Sequence, residues 1–188
     1  MTILYPCYEA IQPDTVAELC GLFLCSCNVS ISPWSLRRTI KPERYEAIEV
    51  KNKLMKLAEA DGIGLTKCGE ALTIFSTRKS FVLFIVNQCD LLSETSRRIP
   101  DFIRYANNAI KECFLHGLIT RLYVDPNSGR EGKLVETKFN SFANGLNDLL
   151  LDMGIESFIN FRKCDGKRVK HDKYVIVFYP NEIKTLSN

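Results

Sequence analysis

The strongest constraint on how this chain can fold is an internal repeat. Glu18–Leu24 parallels Cys113–Ile119, each an apolar helical stretch interrupted by a glycine, Gly21 in one and Gly117 in the other. Further along, Leu57–Ile63 parallels Leu149–Ile155, where a second helical stretch closes on Gly62 or Gly154. The spacing from first landmark to second is nearly equal in the two halves. Two matched landmarks at similar spacing argue for duplication more strongly than either alone. A glycine on an apolar helix face lets another backbone approach closely, so Gly21 and Gly117 are expected where two repeat helices meet.

Periodicity fills in the elements between these landmarks. Asp14–Cys25 reads as a helix capped by Asp14, with Val16, Leu19, Cys20, Phe23 and Leu24 at helical spacing. Asn28–Ile31 and Arg37–Lys41 read as a strand pair, or one strand broken around Pro33. Glu46–Val50 alternates and is expected to be a strand, followed by a helix over Lys51–Asp61. Leu65–Cys68 and Ala71–Ser76 form a hairpin turning at Gly69, and Phe81–Leu92 is a helix. The second half runs in the same order. A helix over Asn107–Thr120 leads into strands at Tyr123–Val124 and Lys133–Lys138, separated by the turn signal Pro126–Gly129. A helix over Asn140–Met153 precedes a hairpin of Ser157–Cys164 with Lys173–Tyr179, and a short helix is expected after Pro180. The expected class is α+β: two pseudo-symmetric αββαββα repeats. Residues 1–13 form an N-terminal extension, 14–92 the first repeat, 93–106 a linker and 107–188 the second repeat.

Composition narrows the class of function. The chain has 188 residues, 46% of them hydrophobic and 25% charged, an ordinary globular balance. The longest apolar runs are too short to cross a bilayer, and no small-molecule substrate is suggested. A net charge of +3 permits a nucleic-acid partner without requiring one. The eight cysteines sit mostly in apolar patterns, with no signal peptide ahead of them, which points to free thiols in a reducing compartment. No C-x-x-C occurs and there are only two histidines, so no structural metal site is expected. The first fifteen residues contain Glu9 and Asp14 but no arginine or lysine, unlike an import presequence.

The repeat order, with a glycine-bearing helix opening each copy, resembles the LAGLIDADG homing endonucleases in their single-chain, two-repeat form. Asp14–Ser30 looks like the first motif helix running into its strand, and Cys113–Asp125 like the second. Arg97-Arg98-Ile99-Pro100 resembles the Lys-x-Ile-Pro block that precedes the second motif in intein-type members. The resemblance covers about Asp14 to Leu186. It implies motif helices packed at a pseudo-two-fold axis and two curved sheets forming a saddle over a nucleic acid. It also implies an acidic residue ending each motif helix, holding divalent metal for phosphodiester hydrolysis.

The chain departs from that pattern at the acids. Ser26 stands at the first acidic position, Leu122 at the second, and Arg97 at the family's lysine. Magnesium prefers anionic oxygen ligands, and neither Ser26 nor Leu122 supplies one. Asp125, expected one helical turn past Leu122, is the nearest substitute. Leu57–Gly62 imitates the family motif but falls at the end of each copy's second helix, so Asp61 is not expected to be a ligand. Catalytic residues and cofactors are therefore expected to be absent, with magnesium needed only by an active enzyme.

What remains is surface. Arg37, Arg38, Lys41 and Arg44 form one basic stretch, with Trp34 and Tyr45 beside it as candidate base-stacking residues. Arg162, Lys163, Lys167, Arg168, Lys170 and Lys173 form a second, and Lys67 is expected to extend the first. His116 is read as a satisfied helix-packing residue. The resemblance then implies a nucleic-acid-binding protein without nuclease activity, RNA being favoured over DNA. Its setting would be an organelle, with the mitochondrion favoured. It would act as a structural component of a ribosome, with protein neighbours in a large ribonucleoprotein, or as an intron-splicing cofactor. The alternatives are an active, divergent DNA endonuclease and a protein-binding scaffold.

Overall fold

A computed structural model describes residues 11–25, 27–31, 33–41, 47–118, 120–164 and 172–180, the side chains of Cys25 and Ala47 excepted. The first half runs α1 (Pro13–Cys25), β1 (Asn28–Ile31), β2 (Trp34–Ile40), α2 (Ala47–Leu57), β3 (Ile63–Cys68), β4 (Ala71–Ser76) and α3 (Lys79–Cys89). A short α4 (Asp101–Arg104) precedes α5 (Asn108–Gly117), β5 (Arg121–Val124), β6 (Glu131–Thr137), α6 (Asn140–Asp152), β7 (Ser157–Arg162) and β8 (Lys173–Phe178). The helix expected after Pro180 lies outside the described residues. The elements form two antiparallel four-stranded sheets of matching order, β1-β2-β4-β3 and β5-β6-β8-β7. This is the α+β repeat that the sequence predicts.

The chain divides into two compact units. The first gathers α1 through α5 around the first sheet, so α5 packs with the first sheet's unit although its sequence opens the second repeat. The second contains β5 through β8 with α6, joined by residues 95–98.

In the first unit, α1 begins with Pro13, whose missing N–H costs nothing in a first turn. Gln12, not Asp14, precedes the helix, and its carbonyl accepts from Val16 N. Of the expected strand Glu46–Val50, Glu46 lies outside the described residues, and residues 47–50 are helical. Val50, Leu54 and Leu57 are buried at helical spacing while Ile48 is exposed, so helical burial overrides the local alternation. Gly62 at φ +76° and Gly154 at φ +71° follow α2 and α6, and each is succeeded by a buried isoleucine, Ile63 or Ile155. The left-handed turn is cheap only for glycine, which explains this landmark in both copies.

The other landmark, Gly21 and Gly117, is a contact within the first unit. α1 packs against α5 so closely that a Cβ on Gly21 would overlap the Phe114 carbonyl. A Cβ on Gly117 would overlap the Glu18 carbonyl. The relation is reciprocal: each glycine meets the carbonyl lying three residues before the other glycine. His116 Nδ1 and Glu18 Oε1 lie 2.5 Å apart on the same helix pair, so His116 is partnered as expected. The six cysteines whose state is described are free, and Cys20 and Cys89 are buried like other small hydrophobes.

Candidate nucleic-acid interface

The faces of each sheet follow from strand alternation and register. In the first sheet, Leu36, Arg38, Ile40, Leu72 and Ile74 point toward the helices and are buried. The opposite face carries Asn28, Arg37, Thr39, Thr66, Cys68, Ala71, Thr73 and Phe75, none of them buried. This open face is rich in hydroxyls, with Thr39 Oγ1 and Thr73 Oγ1 2.9 Å apart.

Neighbouring cations thus have different fates. Arg37 is exposed on the open face, and Lys41 is exposed one residue beyond β2. Arg38 is 6% exposed and its guanidinium donates to the Leu22 carbonyl in the last turn of α1. The last carbonyls of a helix lack intrahelical partners and favour a cation, so Arg38 completes α1 and does not face a ligand. Lys67, though exposed, shares the helix-side alternation with Ile63 and Leu65 and pairs in register with Leu72. Trp34 lies on that same side, in line with Leu36, and is not on the open face. Arg44 and Tyr45 lie outside the described residues.

The corresponding face of the second sheet is built differently. Val175, Val177 and Tyr179 are buried there, packed by Tyr123, Leu134 and Phe158. The Tyr123 and Phe158 rings lie 6.2 Å apart edge to face, and Phe158 lies 6.3 Å from Tyr179. The Arg130 guanidinium sits 3.8 Å from the Tyr179 ring centroid and bonds Glu156 at 2.8 Å. Burial, followed by the Asp125 carboxylate, pushes the Tyr179 hydroxyl above its ordinary pKa. The expected basic hairpin begins at the other end of this sheet. Arg162 and Lys163 are exposed, whereas Lys173 forms an ion pair with Glu136 at 2.8 Å. Lys167, Arg168 and Lys170 lie outside the described residues.

The positions of the family's acids can be placed only in the second copy, because Ser26 lies outside the described residues. α5 stops at Gly117, and Leu118 adopts extended backbone at φ −63° and ψ 130°. Leu122 is therefore not at a helix end. It is the second residue of β5, paired with Lys133 and 55% exposed. Asp125 is not one helical turn onward but three residues further along an extended chain, roughly 10 Å away. Its carboxylate accepts from Asn127 N at 2.8 Å and Ser128 N at 3.3 Å, folding the β5–β6 turn. Those backbone donors, Asn127 foremost, hold Asp125 below its ordinary pKa. Among the described residues no three His, Cys, Asp or Glu side chains gather where they could hold a metal ion. Leu122 brings no oxygen and Asp125 is committed to a turn, so these residues do not fit a divalent-metal centre.

Arg97 has a local role. Its N–H donates to Ser141 Oγ at 3.1 Å, and Ser141 Oγ donates back to the Arg97 carbonyl at 2.9 Å. Its guanidinium lies 4.4 Å from the Phe139 ring centroid. Asp61, expected at a helix end, lies in the turn past α2 and pairs with Arg78.

No protein-family model and no curated protein sequence matches this chain. Solved structures do. One is the homing endonuclease I-DmoI in complex with DNA and calcium, at 16% identity and a TM-score of 0.55, covering 91% of this chain and 85% of that one. Mesophilic variants of I-DmoI match at 13% identity and a TM-score of 0.54, with 91% of both chains covered. Full-length DUF199/WhiA from Thermatoga maritima matches at 12% identity and a TM-score of 0.52, over 88% of this chain and 50% of that chain. The repeated strand orders, the reciprocal glycine contact and these likenesses agree: this chain has the two-repeat fold of the LAGLIDADG homing endonucleases.

Proposed function

We propose that this chain binds nucleic acid, that its ligand is structured RNA, and that it does not cleave phosphodiesters. The observation that carries the reading is Leu122 in β5. Two-metal hydrolysis needs oxygen ligands that fix ions against the attacking and leaving oxygens. An apolar side chain on a strand supplies none.

Binding draws support from the surface that remains and from the DNA complexes of I-DmoI. Arg37 and Lys41 on the first sheet, and Arg162 and Lys163 on the second, are exposed cations able to neutralise phosphates and release counterions. The hydroxyls of Thr39, Thr66 and Thr73 suit a ligand that presents 2′-hydroxyls and unpaired base edges. A net charge of only +3 suits a component of a larger ribonucleoprotein, such as an organellar ribosome or a spliced intron, better than a free duplex binder.

The test is recovery of the protein from its source with and without RNase, sequencing what stays bound, and incubating purified protein with plasmid DNA and magnesium. A discrete RNA lost on RNase treatment, with intact plasmid, is the expected result. Retained duplex DNA or nicked plasmid overturns the RNA reading in favour of an active endonuclease. A second reading, a protein-binding scaffold, is favoured by the exposed apolar side chains of Leu122, Val124 and Phe161 on the second sheet. It predicts salt-insensitive capture of a protein with no nucleic acid retained.

A further inference from the structure

The row Asn28–Arg37–Phe75–Gly64 crosses all four strands of the first sheet on its open face. Gly64 stands directly opposite Phe75. A Cβ built on Gly64 would lie 2.5 Å from the Phe75 Cζ and 2.8 and 2.9 Å from the two Cε atoms. An edge-on approach would leave the Cε atoms much farther away than Cζ. The near-equal distances place the ring face-on against the glycine. Gly64 thus makes room for a phenyl ring lying flat on the sheet. Phe75 is partly exposed in this position.

The surroundings of this ring are polar. Arg37 is its exposed cross-strand neighbour, and Thr73, Thr39 and Thr66 form the next row. On the second sheet Tyr179 also lies against a glycine, Gly132, but Arg130 covers its ring. A flat aromatic ring beside an arginine, with no other large apolar group among the described residues of that sheet face, matches the physical requirements for stacking one nucleobase. Every base has a π-face, and the adjoining cation meets the phosphate.

We propose that Phe75 is a stacking platform for an unpaired base of a bound strand, with Arg37 contacting the neighbouring phosphate. This rests on the nucleic-acid reading above and specifies which form of ligand the first sheet takes. A base inside a duplex offers no free face to Phe75, so the site selects single-stranded or looped-out nucleotides.

The full chain is titrated with single-stranded oligoadenylate RNA carrying one 2-aminopurine, and with the same strand annealed to its complement. Wild type is expected to bind the single strand with quenched 2-aminopurine fluorescence. Phe75→Leu keeps an apolar side chain but loses the π-face, and is expected to lose the quenching and bind about 5- to 100-fold more weakly. Phe75→Trp is expected to retain both, its own emission falling as strand is added. Thermal melts of each variant separate lost stacking from lost folding. If Phe75→Leu does not fold, quenching of the Phe75→Trp emission decides, and its absence refutes stacking. If Phe75→Leu binds as wild type does, with equal quenching, the platform is refuted while nucleic-acid binding stands. If wild type binds neither strand nor duplex, both readings fall together.

Discussion

Replacing Gly21 by alanine tests the α1–α5 packing on which the first unit depends. The new methyl would overlap the Phe114 carbonyl, which is backbone and cannot swing aside. Relief requires the helices to part by about 1 Å, and a gap of that size forfeits a quarter to a half of each affected van der Waals contact. Phe114, Leu19 and Leu22 are all fully buried on these two helices. A gross cost of about 3–5 kcal/mol follows, at the upper end of overpacking penalties. Alanine's better helix propensity returns about 1 kcal/mol, leaving a net loss of about 2–4 kcal/mol. Gly117→Ala meets the Glu18 carbonyl and should cost a similar amount. The double variant should cost less than the sum, because one separation accommodates both methyls. Urea unfolding at constant m-value measures this. Gly69→Ala, in a left-handed turn with nothing within 4 Å, isolates the backbone term and should cost only about 1–2 kcal/mol. If Gly21→Ala and Gly69→Ala are equally mild, the reciprocal contact is not what holds these helices together.

Three further outcomes follow. Arg37→Ala should weaken RNA binding and lower the salt slope by about 0.7–0.9 with unchanged stability, whereas Arg38→Ala should cost about 1.5–3 kcal/mol through the orphaned Leu22 carbonyl. Binding isotherms at several salt concentrations, beside urea melts, check this adjacent pair. His116→Ala should cost about 1–3 kcal/mol, because Glu18, with a side chain 7% exposed, loses its partner; Glu18→Gln in the same background should restore part of it. Backbone donors hold the folded Asp125 below its ordinary pKa, so its ionised form stabilises the fold at neutral pH and that contribution fades as pH falls through the lowered value. The stability deficit of Asp125→Asn at pH 7 should therefore vanish in strong acid, as pH-dependent melts would show.

Legibility in the sequence tracked how local the determining physics is. The turns at Gly69 and Pro126–Gly129 and the glycines closing α2 and α6 were readable, because turn chemistry is confined to a few residues. Glu46–Val50 misled because so short a run of mixed polar and apolar residues fits a strand. The helical period that wins appears only when Val50 is aligned with Leu54 and Leu57. Arg38 was read as a surface cation by its type. Its partner, the Leu22 carbonyl, is known only once α1 lies over β2. Phe75 was missed as a site residue because the alternation of Ala71–Ser76 does not say which side faces the helices. That became clear from the register, which buries Leu72 and Ile74 and sets Phe75 against Gly64.

The two copies diverge where chemistry would need them alike. At the packing landmarks they remain equivalent. Gly21 and Gly117 exchange the same carbonyl contact, and Gly62 and Gly154 make the same left-handed turn. Past the glycines the symmetry fails, for α1 runs on to Cys25 while α5 ends at Gly117 itself. A turn of helix holds a side chain in fixed register beside the helix axis, whereas a strand carries the next residues away at about 3.3 Å each. A metal centre shared by two copies needs both to deliver an oxygen at matched positions. Helix packing needs only that both backbones stay smooth at the contact. Shortening α5 leaves the glycine contact untouched while moving Leu122 onto a strand and Asp125 into a turn. On the proposed reading, introducing an acid by Leu122→Asp alone should not confer cleavage, since the carboxylate would project from β5 beside Lys133. Magnesium-dependent nicking by that single variant would show instead that the helical turn is dispensable, and would reopen the endonuclease reading.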